Sequence, residues 1–131
     1  MKTQEEKDQA LFAAAKNGHT ETCKSQLEQG ANIHARNDYA LRWAAQNGHT
    51  EVCKLFLEHG ADIHAENGKP LRWAAERGHT ETCKLLLRHY KSLAGLLTNP
   101  ELPELAKTLI REEQSRRAAQ QLKKPQPSLE I

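Results

Sequence analysis

Apolar positions in the middle of the chain fall into two alternating patterns. Leu41, Ala44 and Ala45 follow the i, i+3, i+4 spacing of one buried helical face, and Val52, Cys53, Leu55, Phe56 and Leu57 make a broader apolar face a few residues later. Gly48 between them supplies the left-handed residue that ends a helix, and Gly60 stops the second one. Thr50 is expected to act as the second helix's N-cap, with Glu51 suiting the positive end of that helix. The pattern therefore predicts two short antiparallel helices. The segment Gly60-Ala61-Asp62-Ile63-His64-Ala65 is then expected to run extended into a tight turn at Asn67-Gly68, with Asn37-Asp38 at the corresponding earlier turn.

This unit recurs along the chain. Leu41-Arg42-Trp43-Ala44-Ala45 returns as Leu71-Arg72-Trp73-Ala74-Ala75, and a looser copy begins at Leu11-Phe12-Ala13-Ala14-Ala15. Gly-His-Thr-Glu starts at 18, 48 and 78, a period of 30 residues, and self-similarity at such a period marks a solenoid of stacked units. In the first copy Ser25-Gln26 replaces Leu55-Phe56 and Leu85-Leu86, the polarity an end layer needs. Its polar leader predicts a frayed segment with a helix start at Asp8.

The third copy has Arg88-His89-Tyr90-Lys91 where earlier copies have glycine, which predicts a second helix running on through Leu93, Leu96 and Leu97. Pro103 suits the first turn of a further helix, whose stripe of Leu102, Leu105, Ala106, Leu109 and Ile110 would cap the last unit. Arg116, Arg117, Lys123 and Lys124 read as a solvated face. The expected organisation is repeats over 1–98, in units of about 8–37, 38–67 and 68–98, a C-terminal helix within 99–123 and a disordered tail at 124–131.

Composition narrows this picture. An apolar content of 37% with 5% aromatics suits thin layers of Leu and Ala, and a net charge of +2 is too small to point to nucleic acid. Neither a secretory signal nor a membrane span is evident, so a soluble, cytoplasmic protein is expected. Cys23, Cys53 and Cys83 share one phase of the repeat. Adjacent helical layers lie about 8–10 Å apart and a disulfide needs Cα atoms within about 7 Å, so these thiols are expected to stay reduced.

The units resemble ankyrin repeats, whose pattern runs Thr-Pro-Leu-His-x-Ala-Ala-x-x-Gly-His-x-Glu-Val-Val-x-x-Leu-Leu-x-x-Gly-Ala-Asp-Val-Asn-Ala. The likeness covers residues 10–97 and is dense at Ala44-Ala45, Gly48-His49, Glu51, Leu55, Leu57 and Gly60-Ala61-Asp62-Ile63. It implies an all-α ankyrin-repeat solenoid of three helix pairs with short connecting turns and a C-terminal capping helix. It also implies a non-catalytic protein-interaction module, acting as adaptor, scaffold or inhibitor through its concave first-helix and turn surface. The copies are three residues shorter than the family's repeat of about 33. The missing residues fall before Leu41 and Leu71, which clips the hairpin finger. The family's Thr-Pro-Leu-His becomes Tyr39-Ala40-Leu41-Arg42 and Lys69-Pro70-Leu71-Arg72.

The positions that the family varies for binding map onto Arg36, Asn37, Asp38 and Tyr39 in one turn and Glu66, Asn67 and Lys69 in the next. Gln46, Asn47, Glu76 and Arg77 extend that strip, and Arg42, Trp43, Arg72 and Trp73 add the residue types most enriched at binding hot spots. The arginines are expected to hold their heads exposed, while the tryptophans suit packing between layers as well as binding. No catalytic constellation and no cofactor motif is present. Zinc is disfavoured because each His-to-Cys pair, such as His49 with Cys53, joins a turn residue to a buried face. The imidazoles of the Gly-His pairs are expected to bond backbone at the interhelical turns, as in the family.

An alternative rests on the C-terminal helix. Leu102-Pro103-Glu104-Leu105-Ala106-Lys107-Thr108-Leu109-Ile110-Arg111 is similar to the first helix of SOCS boxes, which would imply a ubiquitin-ligase substrate adaptor. Ala106 and Lys107 replace that motif's cysteine and arginine. The adaptor reading requires Leu102 and Ile110 to be exposed, and the C-terminal helix is also a candidate surface for a homo-oligomer.

Overall fold

A computed structural model of the chain describes residues 2–123, so the expected tail at 124–131 lies outside the described residues. Helices α1 (Gln4–Lys16), α3 (Ala35–Gln46) and α5 (Ala65–Glu76) alternate with α2 (Thr20–Glu28), α4 (Thr50–Glu58) and α6 (Thr80–Arg88), and α7 (Glu104–Lys123) follows a short 3-10 turn at Leu96–Thr98. No strand occurs among the described residues. First helices stack on first helices and second on second, while α7 packs against α6 and α5. Leu11, Leu41 and Leu71 are buried between layers with Cys23, Cys53 and Cys83. This is the expected all-α solenoid with a helix laid over its last layer.

The chain begins to be helical earlier than Asp8. Thr3 Oγ1 accepts from Glu6 N at 3.1 Å and Glu6 Oε1 accepts from Thr3 N at 3.3 Å, a reciprocal cap that satisfies two otherwise orphan donors. Asp8 is instead a buried carboxylate inside α1. It accepts from Asn32 N at 2.7 Å and from Gln4 Nε2 at 2.9 Å, tying the first helix to the loop that follows the second.

The turns are the largest departure from expectation. In place of an extended finger, Arg36, Asn37 and Asp38 all adopt left-handed φ of 54°, 57° and 56°, and right-handed helix resumes at Tyr39. Glu66, Asn67 and Gly68 repeat the turn with φ of 51°, 61° and 78°, which places Pro70 in the first right-handed turn, where its missing N–H is harmless. A left-handed residue other than glycine costs about 1–2 kcal/mol, less for Asn and Asp, so three in succession need compensation. Asp38 supplies part of it, accepting from Asp62 N at 2.7 Å and from His34 Nδ1 at 3.1 Å. Asp8 and Asp38 share one phase of the repeat, and Gly68 stands where the third carboxylate would be.

The layers register through the Gly-His pairs. A Cβ built on Gly18 would lie 2.6 Å from His49 Nδ1, and one on Gly48 would lie 2.5 Å from His79 Nδ1. Each imidazole therefore rests on the glycine of the preceding unit, and those glycines also hold φ of 73° and 72°. His49 Nε2 donates to Lys16 O at 2.9 Å, a backbone bond across layers. Thr50 is the first residue of α4 with His49 at the cap position, and its hydroxyl lies 2.7 Å from Thr82 Oγ1.

At the C-terminal end, α6 stops at Arg88 and does not run on through Leu93. Tyr90 turns inward, buried, with its ring 5.0 Å from that of His64 in an edge-on contact. Arg117 explains the stop: its Nη2 donates to Leu87 O at 2.9 Å and Tyr90 O at 2.7 Å, receiving carbonyls that a longer helix would have used. Glu113 holds Arg117 Nε at 3.3 Å and clamps Arg116 with bonds of 2.5 and 2.6 Å. Arg117 is thus part of a closing clasp, whereas the sequence reads it as a solvated face; Arg116 is exposed as that reading expects, paired with Glu113.

Candidate protein-interaction surface

The first helices place four aromatic rings in one continuous row. Phe12 meets Tyr39 at 4.7 Å between centroids, Tyr39 meets Trp43 at 5.8 Å, and Trp43 meets Trp73 edge-on at 6.2 Å. The row forms because Leu11, Leu41 and Leu71 commit one side of each helix to the core, which leaves Phe12, Tyr39, Trp43 and Trp73 along its flank. Phe12 is buried at the N-terminal end, while Tyr39, Trp43 and Trp73 are half-buried. The tryptophans accordingly combine packing between layers with exposure of one edge.

Cations lie over these rings. Lys16 Nζ stands 4.8 Å from the Trp43 ring and Lys69 Nζ 5.2 Å from the Trp73 ring. The Arg36 guanidinium lies 5.7 Å from Phe12, and that of Arg42 lies 5.5 Å from Tyr39 and 5.9 Å from Trp73. Each such pair is worth about 0.5–1 kcal/mol where exposed. Gln9, Phe12, Ala13, Lys16, Arg36 and Tyr39 enclose a shallow basin of about 200 Å³ at one end of the row.

The remaining positions divide sharply. Arg42, expected to be exposed, is only 9% so: its Nε donates to Asn37 O at 3.0 Å and its Nη2 to Arg36 O at 2.8 Å, satisfying carbonyls of the left-handed turn. Asp38 is buried in its tie to Asp62 and is likewise turned away from a partner. The Arg72 side chain, 15% exposed, pairs with Glu101 and approaches Glu76 at 4.0 Å. Arg36 pairs with Glu5 at 2.7 Å, Asn37 donates to Glu66 at 2.7 Å, and Asn47 donates to Lys16 O at 3.1 Å. Gln46 Oε1 is buried without a hydrogen-bond partner among the described residues. Asn67, Glu76 and Arg77 are exposed.

Phe12 and Lys16 belong to the row although their sequence gave no warning through differences between near-identical copies. A signal was present for Lys16, which shares the repeat phase of Gln46 and Glu76. Phe12 is in phase with Arg42, yet its ring joins the row through Tyr39.

The cysteines offer no chemistry to this face. Burial pushes the Cys23 thiol up to about 11 and those of Cys53 and Cys83 up to about 12, so each stays protonated and inert near neutrality. Among the described residues no group of three or more His, Cys, Asp or Glu is placed to hold a metal ion, and no helix is long and apolar enough to cross a membrane.

Just before α7 Leu102 is 6% exposed, and on α7 Ile110 is 0% exposed, with Ala106 and Leu109 also buried. The exposure that the adaptor reading requires is therefore absent, because the stripe covers the last repeat. A comparison with curated proteins gives no significant match. Residues 3–95 do match the family model described as ankyrin repeats in three copies, and the chain belongs to the ankyrin-repeat family.

Proposed function

We propose that this chain is a binding module that takes a protein partner on the exposed side of its first helices and turns, working as an adaptor, scaffold or inhibitor without turnover. Ankyrin repeats are general protein-interaction modules. The observation that carries the reading for this chain is the row of Tyr39, Trp43 and Trp73, three large rings half-exposed in line across stacked units. Rigid aromatic side chains held by packing contribute contact area at low entropic cost, which is why Trp and Tyr dominate binding hot spots. Lys69, Asn67, Glu76 and Arg77 surround the row as a polar rim, whereas Arg42 and Asp38 support the turns from behind.

Site-specific photo-crosslinking tests this assignment. A photoreactive residue at position 69 or 77 should capture the partner from cell extract, and the same residue at exposed position 81 on α6 should not. Capture from position 81 alone would place the partner on the second helices and overturn the proposal.

A further inference from the structure

We infer that the partner presents an acidic segment to this row, with its carboxylates set against Lys16 and Lys69 and its apolar side chains against the ring edges. The inference rests on the proposed binding face and adds the chemistry of what binds there. Among the described residues, Arg36 and Arg72 each already hold a carboxylate of this chain, Glu5 and Glu101 respectively. Lys16 and Lys69, over the Trp43 and Trp73 rings, have no carboxylate within 4.0 Å among the described residues. Arg36 and Arg72 thus take carboxylates of their own chain, while Lys16 and Lys69 leave two ammonium groups for another molecule to meet.

An ammonium lying over a ring can still donate to a carboxylate on its outer side, so an acidic guest keeps the cation–ring contact and adds a charged hydrogen bond. A basic guest would meet like charge, and a neutral one would leave the ammonium groups to be partly desolvated without return. Nucleic acid also offers anions, but it binds such surfaces by stacking bases on open ring faces. Here Lys16, Lys69 and Arg42 lie over the tryptophan faces, which leaves edges and polar rims. Protein carboxylates fit that arrangement better than phosphates with bases.

The test uses the full chain and fluorescein-labelled peptides of repeated Glu-Ala-Leu, matched peptides with Gln or Lys in place of Glu, and a thymidine oligonucleotide of similar length. Anisotropy should show the Glu peptide binding at least about tenfold more tightly than the Gln peptide, with the difference shrinking as salt is raised. Lys16→Glu with Lys69→Glu should abolish that preference, while Lys16→Gln with Lys69→Gln should reduce it, each with an unchanged circular dichroism spectrum. Equal binding of Gln or Lys peptides, absence of binding by the Glu peptide, or an oligonucleotide that binds as tightly as the Glu peptide would each overturn the inference. If any of these occurs while the partner still crosslinks from position 77, the acidic preference fails alone. If the partner crosslinks only from position 81, the binding face fails with it.

Discussion

The second and third units share Leu-Arg-Trp-Ala-Ala-x-x-Gly-His-Thr-Glu, yet their arginines, turns and glycines behave differently. Arg42 folds back onto the carbonyls of its own left-handed turn, whereas Arg72 reaches out to Glu101 of the segment that closes the array. Asp38 stitches its turn to Asp62, and in the third unit Gly68 takes that place with the Tyr90 hydroxyl nearby. Gly48 lies under His79, but a Cβ on Gly78 would meet nothing within 4 Å. A repeated sequence fixes where backbone goes; the layer above or below decides what each side chain does there.

Replacing the two glycines by alanine should break the equivalence most visibly. Gly78→Ala faces only its positive φ, a cost of about 1–2 kcal/mol, whereas Gly48→Ala must also displace the His79 ring, adding about 1–3 kcal/mol. Chemical denaturation of both variants measures the difference, and equal losses would show that the Gly-His contact does not register the layers.

Asp38→Ala should follow, at about 1–3 kcal/mol, because it removes a buried carboxylate that accepts a charged hydrogen bond from Asp62 N. The arginines come next. Arg42→Ala should cost about 1–2 kcal/mol through the two turn carbonyls it leaves, while Arg72→Ala should cost at most about 1 kcal/mol, the range of a surface pair. A larger loss at Arg72 would mean that Glu101 anchors the C-terminal segment.

The clasp that distinguishes the third unit should show itself in acid. Hydrogen bonds from Arg116, then from Arg117, and the charges of both arginines hold the Glu113 carboxyl below its ordinary 4.5, against the opposing effect of burial. A carboxyl depressed on folding adds stability above its unfolded value and loses it as pH falls through the folded one. Melting temperature should therefore drop below pH 4.5 in the parent and drop less in Glu113→Gln, already weakened at neutrality. The last effect is at the other extreme: thiols raised from 9.0 to about 12 at Cys53 and Cys83 add stability below pH 9 that declines toward pH 12, and Cys53→Ala should flatten that decline.

The repeat made the solenoid and its buried leucines legible, since period and phase are properties of the chain alone. Side-chain reach was not. Arg42 and Arg72 look identical in sequence because the carbonyls that claim one and the carboxylate that claims the other come from outside the motif. The Asn67-Gly68 pair signalled a turn, but its three-residue left-handed form depends on buried partners such as Asp38 in the equivalent turn. Arg117 looked like a surface charge because the carbonyls it receives lie 27 and 30 positions earlier. Trp43 and Trp73 were conspicuous by type, whereas Lys16 emerged only when its distance to an indole was known.

The imidazole resting on the preceding glycine gives the array a direction. Each unit inserts a His backward and offers a Gly forward, so a further copy of 38–67 placed after residue 67 would find a matching socket beneath it and present one above. Growth by tandem duplication then needs no new interface between layers. The last layer is covered differently: α7 lies on the third unit, whose Tyr90 stands beside Gly68 and whose carbonyls Arg117 takes while held by Glu113.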